Sequence, residues 1–190
     1  MALQKSENTR FEHLDYTGKN LAHKQMEDCT FIHCNFSDTD LSNTSFSDCE
    51  FENCNFSNAK TRNTSFKDVK FRNCKLLGIS FNECNTFLLL MGFEDCNLNL
   101  SSFYKLKLKN TRYINCTLHE VDFTEADLTA SVFENCDLQR TLFANTNLEK
   151  ADFRSAFNYS IDPELNRIKK AKFSMPGVLG LLSKYNIDIE

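Results

Sequence analysis

The sequence predicts an all-β chain wound as a coil of short strands and closed at its C-terminal end by a short helical cap. Three observations carry that prediction. A large apolar residue recurs every five positions, a small residue stands two positions before it, and the 190 residues include only 5 Gly and 2 Pro. The first series of large residues runs Phe11, Tyr16, Leu21, Met26, Phe31, Phe36, Leu41, Phe46, Phe51, Phe56, Thr61, Phe66, Phe71, Leu76 and Phe81. After Phe81 the phase slips by two residues and resumes at Leu88, Phe93, Leu98 and every fifth residue to Phe153. Of these 29 central positions, 28 are apolar or aromatic, Thr61 being the exception.

The second column holds Cys29, Cys34, Thr39, Thr44, Cys49, Cys54 and Ala59, then Cys96, Ser101, Thr111, Cys116, Ala126, Cys136, Thr146 and Ala151. Residues two apart on an extended segment point to the same side. Each repeat therefore offers one large and one small inward side chain, and the Asn, Asp, Ser, Lys and Glu between them belong outside. A period of five is neither 3.6 nor 2, so an amphipathic helix and a long flat strand are both excluded. The chain must turn a corner at every repeat.

Segments such as Cys34-Asn35-Phe36-Ser37-Asp38, Ala126-Asp127-Leu128-Thr129-Ala130 and Ala151-Asp152-Phe153-Arg154-Ser155 resemble the A(D/N)LxX unit of the pentapeptide-repeat family. The resemblance covers residues 9 to 155. It implies a right-handed quadrilateral parallel β-helix of about seven coils, in which four repeats make one square coil and residues twenty apart stack. At an inter-strand spacing of ~4.8 Å the rod would be roughly 34 Å long. The chain divides on this reading into a β-helix over 1–173, with its slip near 82–88, and a cap over 174–190.

Within that last stretch Ser174 is placed to cap a helix carrying Pro176, Val178, Leu179, Leu181, Leu182 and Tyr185. Asn186 ends it, and Ile187-Asp188-Ile189 reads as a short final strand. Two roles fit the cap: sealing the last coil, or pairing two rods end to end. The second follows from resemblance to the quinolone-resistance (Qnr- and MfpA-like) branch of the family, and makes Val178, Leu181, Leu182, Tyr185, Ile187 and Ile189 the candidate homodimer interface.

Residues that could carry chemistry are accounted for by the repeat. All nine cysteines share the small inward register and contain no CxxC pair, which suits small hydrophobes better than a metal or redox site. His13, His23 and His33 stand ten apart, so only the first and third share a face. Carboxylate pairs such as Glu125/Asp127 and Asp38/Asp40 occupy outward positions of a convex rod, without a cleft to shift their pKa. No phosphate loop, HExxH or nucleophile elbow is present. The expectation is a protein that is not an enzyme and uses no cofactor or metal.

What remains is surface. The net charge of −4 argues against direct nucleic-acid binding. No signal peptide is evident, and the longest apolar run, Phe87 to Met91, is too short to cross a membrane, so the cytoplasm is the expected compartment. Charge is banded: residues 1–58 hold ten acids and four bases, and residues 59–75 hold six bases and one acid. Lys105, Lys107, Lys109 and Arg112 follow, and residues 113–150 return to acid with seven carboxylates. Asp28, Asp48 and Asp68, twenty apart, should stack as an acidic stripe. Leu77, Leu89, Leu90 and Leu100 fall at outward positions, either packed locally around a bulge or forming an exposed patch.

Two functional readings stand. One is a rigid protein–protein interaction scaffold whose partner the sequence does not name. The other, from the family resemblance, is a DNA-mimicking modulator of DNA gyrase or topoisomerase IV that protects from quinolones. B-DNA carries one charge per ~1.7 Å, so a mimic of this length would need about 20 net negative charges. Candidate partner-binding residues are Asp28, Asp48, Asp68, Leu89 and Leu90.

Overall fold

A computed structural model describes residues 5–185 and 187–188 of the chain. The chain winds into a parallel β-solenoid. One wall is a seven-stranded parallel sheet made by Arg10–Glu12, Thr30–Ile32, Glu50–Glu52, Val69–Arg72, Met91–Glu94, Arg112–Ile114 and Val132–Glu134. An adjoining wall is a four-stranded sheet made by Lys5–Glu7, Gln25–Glu27, Ser45–Ser47 and Ser65–Lys67. The other two walls are ladders of single bridges, such as Asp15 to Asn35 to Asn55 and Ser102 to Asp122 to Leu142. Phe31 pairs with Phe51 and Phe51 with Phe71, so the register of twenty is observed directly.

Each position of the repeat has a physical task. The central residue points inward, and Phe31, Phe51, Phe103, Phe123 and Phe133 are fully buried. On the seven-stranded wall the rings of Phe11, Phe31, Phe51, Phe71, Phe93, Tyr113, Phe133, Phe153 and Phe173 form one stack. Its centroids are 4.8 to 5.5 Å apart. Two residues after the centre the backbone turns the corner with positive φ. Asn, Asp and His serve there in the first half of the rod, from Asn8 at 47° to His23 at 63°. These side chains tolerate the left-handed region, which explains how a chain of corners manages with so few glycines; Gly18 and Gly78 take two of the places.

The residue just before the centre explains the recurrent Asp and Asn. Its side-chain oxygen accepts the amide N–H two residues on, as Ser42 N–H donates to Asp40, Ser57 to Asn55, and Thr129 to Asp127, at 2.9 to 3.1 Å. The small inward residue is more than filler. Its hydroxyl or thiol donates to the carbonyl of a central residue one coil back: Thr39 to Tyr16, Thr64 to Leu41, Ser131 to Leu108, and Cys54 to Phe31. The Tyr16, Leu41 and Leu108 carbonyls already accept the backbone amide three residues on, so the side chain adds a second bond to the same oxygen, and Cys, Ser and Thr supply both small size and a donor. Cys34, Cys54, Cys74, Cys96, Cys116 and Cys136 make one continuous column across the slip. All nine thiols are free and buried, and burial pushes Cys49 and Cys84 up to about 12.

The slip lies later than the sequence pattern places it. Ser65 still bridges Asn85 at a spacing of twenty, whereas Val69 pairs with Met91 at twenty-two. The two extra residues therefore sit between Asn85 and Met91. Leu88, expected as an inward rung, is 65% exposed at a corner with φ 57°, and Leu89 packs against the core instead. The insertion is absorbed at one corner, because the Phe71–Phe93 stack continues across it at 5.5 Å.

At the C-terminal end Tyr159 is buried over Phe153 and Phe173. The cap is built from 3-10 turns over Pro176–Leu181 and Ser183–Tyr185. Ser174 Oγ accepts the Gly177 amide at 3.1 Å, the capping bond the sequence suggests. At Gly180 an added Cβ would fall 2.5 Å from the Tyr159 carbonyl oxygen, so glycine is needed there, and at Gly177 it would press on the Tyr159 hydroxyl. Ile187 and Asp188 form no strand. Asn186 and Ile189 lie outside the described residues.

Candidate interaction surface

The Asp28, Asp48 and Asp68 side chains stand exposed at successive corners of one edge, with φ of 50°, 54° and 52°. None of the three enters an ion pair among the described residues. The next residue along that edge is Leu90, whose amide donates to the Phe66 carbonyl and whose carbonyl accepts from the Val69 amide, both at 3.0 Å. Beyond it the edge carries Asn110, Ala130, Lys150 and Lys170. The acidic stripe is thus three coils long and gives way to uncharged and then to basic residues.

Other charges are neutralised across the coils. Lys70 and Arg72 both reach Glu50, at 3.2 and 3.5 Å, and Arg72 also reaches Glu94. Lys105 pairs with Glu125, Lys109 with Asp127, Arg112 with Glu134 and Arg140 with Glu120, at 3.3 to 3.5 Å. The basic bands are thus partly compensated, while Lys60, Arg62, Lys67, Lys75 and Lys107 enter no ion pair among the described residues. Arg167, Lys169, Lys170 and Lys172 add a basic last coil. His13 and His33 stack with centroids 5.0 Å apart on one edge, away from His23.

The bulge exposes the apolar surface. Phe87 is 67% exposed, Leu88 65% and Leu90 48%, whereas Leu89 is half-buried against the core. Lys67 Nζ lies 5.9 Å from the Phe87 ring. Leu100 is exposed and Leu77 half-buried, but both belong to the wall two sides away, so the four leucines do not form one patch. Phe87 and Leu88 are the functional candidates that periodicity missed. The clue was the run Phe87-Leu88-Leu89-Leu90, which is too apolar for a repeat to hide entirely.

The cap divides its candidate residues. Leu181 packs against the core and Leu182 is half-buried, while Val178, Tyr185 and Ile187 are exposed. Lys184 bridges Asp162 and Glu164 at 2.8 Å, and the Tyr185 hydroxyl donates to Glu164 at 3.1 Å. Lys184 holds the Asp162 and Glu164 carboxyls below the usual range. These contacts fasten the cap to the last coil.

A family profile described as a pentapeptide repeat region matches the chain in overlapping segments, 5–81, 44–112, 88–156 and 106–173. The chain belongs to the pentapeptide-repeat family. Among solved structures, a trypsin-treated variant of QnrB1, a plasmid-mediated fluoroquinolone resistance protein, superposes with a TM-score of 0.73 at 20% identity. That match covers 98% of this chain and 91% of that one. A second trypsin-treated QnrB1 variant gives 0.64 at 18% identity, covering 98% of this chain and 100% of that one. HetL, a pentapeptide repeat protein involved in heterocyst differentiation regulation from the cyanobacterium Nostoc, gives 0.34 at 16% identity, over 90% and 86% of the two chains. No curated protein matches the sequence. At these identities the QnrB1 likeness speaks for the fold. No helix among the described residues is long and apolar enough to cross a membrane.

Proposed function

We propose that this pentapeptide-repeat protein is a non-enzymatic interaction scaffold in the cytoplasm, whose protein partner docks on the bulge between Asn85 and Met91. The observation that carries the reading is the exposure of Phe87, Leu88 and Leu90 at a single corner of a rod whose other outward positions are largely polar. Clusters of exposed apolar side chains of this kind mark interaction sites. Exposed ion pairs contribute only ~0–1 kcal/mol each and are screened by salt, so the apolar corner rather than the paired charges supports the reading.

The test is capture with the immobilised protein followed by quantification of the retained partner. Phe87→Ser with Leu90→Ser should abolish retention, whereas Asp28→Asn, Asp48→Asn and Asp68→Asn together should leave most of it. Retention that ignores the bulge and depends on the three aspartates would overturn the assignment.

The second reading, modulation of gyrase or topoisomerase IV as a DNA mimic, is favoured by Asp28, Asp48 and Asp68 and by the likeness to QnrB1. Against it stand the three-coil extent of the stripe and the basic last coil. A homodimer through the cap is part of both readings. Val178 and Ile187 would bury against a second copy, Tyr185 would contribute its outer edge, and Leu181 and Leu182 would support them from beneath.

A further inference from the structure

We propose that the N-terminal end of the solenoid is a binding site for a small aromatic carboxylate. The reason begins with the sizes of the inward residues. On the four-stranded wall they run Phe66, Phe46, Met26 and finally Ser6 toward the N-terminus, and on the neighbouring wall Leu41 is followed by Leu21. The first coil therefore fills its corner poorly. A cavity of about 260 Å³ remains there, walled by Phe11, Tyr16, Leu21, Met26, Leu41 and Phe46.

The walls choose an aromatic guest. Phe11 and Tyr16 stack on Phe31 and Phe36 at 4.8 and 5.1 Å and begin two aromatic columns. Both are only half-buried, as is Leu21, so an incoming ring finds aromatic and aliphatic surface already in place. Such a ring gains apolar burial together with ring–ring contact.

The rim selects charge. Among the described residues Lys24 is the one charged side chain lining the cavity, is half-buried, and makes no ion pair. Thr44 has already committed its hydroxyl to the Leu21 carbonyl at 2.8 Å. Asn20, also at the rim, uses its Oδ1 to accept the Ala22 amide, which leaves its NH₂ group as a donor. A lysine and an asparagine donor lining an otherwise largely apolar chamber match a carboxylate whose ring points inward. Ion-assisted hydrogen bonds of this kind are the strong ones. The site lies at the far end of the rod from the cap and shares no residue with the bulge, so it stands independently of the proposed scaffold role.

Isothermal titration calorimetry of the full chain with 2-naphthoate tests the assignment, with neutral 2-naphthamide as control. The expected result is saturable one-to-one binding of the acid, roughly tenfold weaker for the amide and for Lys24→Met. Leu21→Trp, which places an indole in the chamber, should abolish it, with circular dichroism verifying that both variants keep the fold. No saturable heat with 2-naphthoate, or equal affinity in Lys24→Met, would overturn the proposal. So would a dimer in light scattering that dissociates in Leu21→Trp, because a second copy would then be the occupant.

Discussion

Replacing Tyr113 by Phe should make the protein more stable, although it removes a polar group from the middle of the rod. Tyr113 is the only tyrosine inside the column of eight phenylalanine rings, stacked on Phe93 at 5.3 Å and Phe133 at 4.8 Å. It is fully buried, and its hydroxyl finds no hydrogen-bond partner among the described residues. Burial accordingly raises its pKa well above the ordinary value. A buried hydroxyl without a partner costs ~1–3 kcal/mol, whereas the void left by one oxygen atom costs a fraction of that. Tyr113→Phe should therefore gain about 1–2 kcal/mol. With a urea m-value of about 2 kcal/mol/M, the unfolding midpoint should rise by about 0.5–1 M. Circular dichroism during urea titration measures it, and Phe133→Tyr, which adds the same orphan group one coil on, should move the midpoint the other way. A destabilised Tyr113→Phe would refute the reasoning, because it would mean that the hydroxyl is hydrogen-bonded in solution.

Three further outcomes follow from the same architecture. Phe51→Ala removes a fully buried ring that stacks on Phe31 and Phe71 and meets Phe46 and Phe56 edge-on. It should cost ~3–5 kcal/mol in urea unfolding, and Phe11→Ala at the half-buried end should cost clearly less. Leu88→Gly relieves a left-handed corner at φ 57° and should hold or slightly raise the melting temperature in calorimetry. Acid should weaken the fold. Hydrogen bonding from Ser42 lowers the Asp40 pKa, and Arg154 does the same for Asp152. A depressed carboxylate stabilises at neutral pH and loses that contribution as pH falls below about 4. The urea midpoint should be lower at pH 3 than at pH 7, and Asp40→Asn, which keeps an acceptor for Ser42, should shrink the difference.

How much of this was legible beforehand depended on whether a residue's role was set by the repeat. Phe31, Phe51 and Cys54 were readable because period five leaves one inward phase and burial enforces it. The corner residues could have been read further, since Asn53, Asp48 and His33 share the ability to hold positive φ. The thiol-to-carbonyl bonds were not legible, because a small hydrophobe and a small donor look alike in the small-residue column. The slip failed for a different reason. Thr86 interrupts the pattern, and with Leu88, Leu89 and Leu90 in succession the periodicity cannot say which one turns inward. The separation of Leu77 and Leu100 from Leu90 needed the four-sided path of the chain, and the fastening of Lys184 to Asp162 needed the cap folded back on the last coil.

The central claim, an interaction scaffold rather than a DNA mimic, meets its most direct test in a DNA gyrase supercoiling assay with increasing purified protein, with and without a fluoroquinolone. Unchanged supercoiling and no relief of the drug at micromolar protein are expected. Inhibition of supercoiling, or rescue from the drug, that disappears when Asp28, Asp48 and Asp68 are changed to Asn would contradict it.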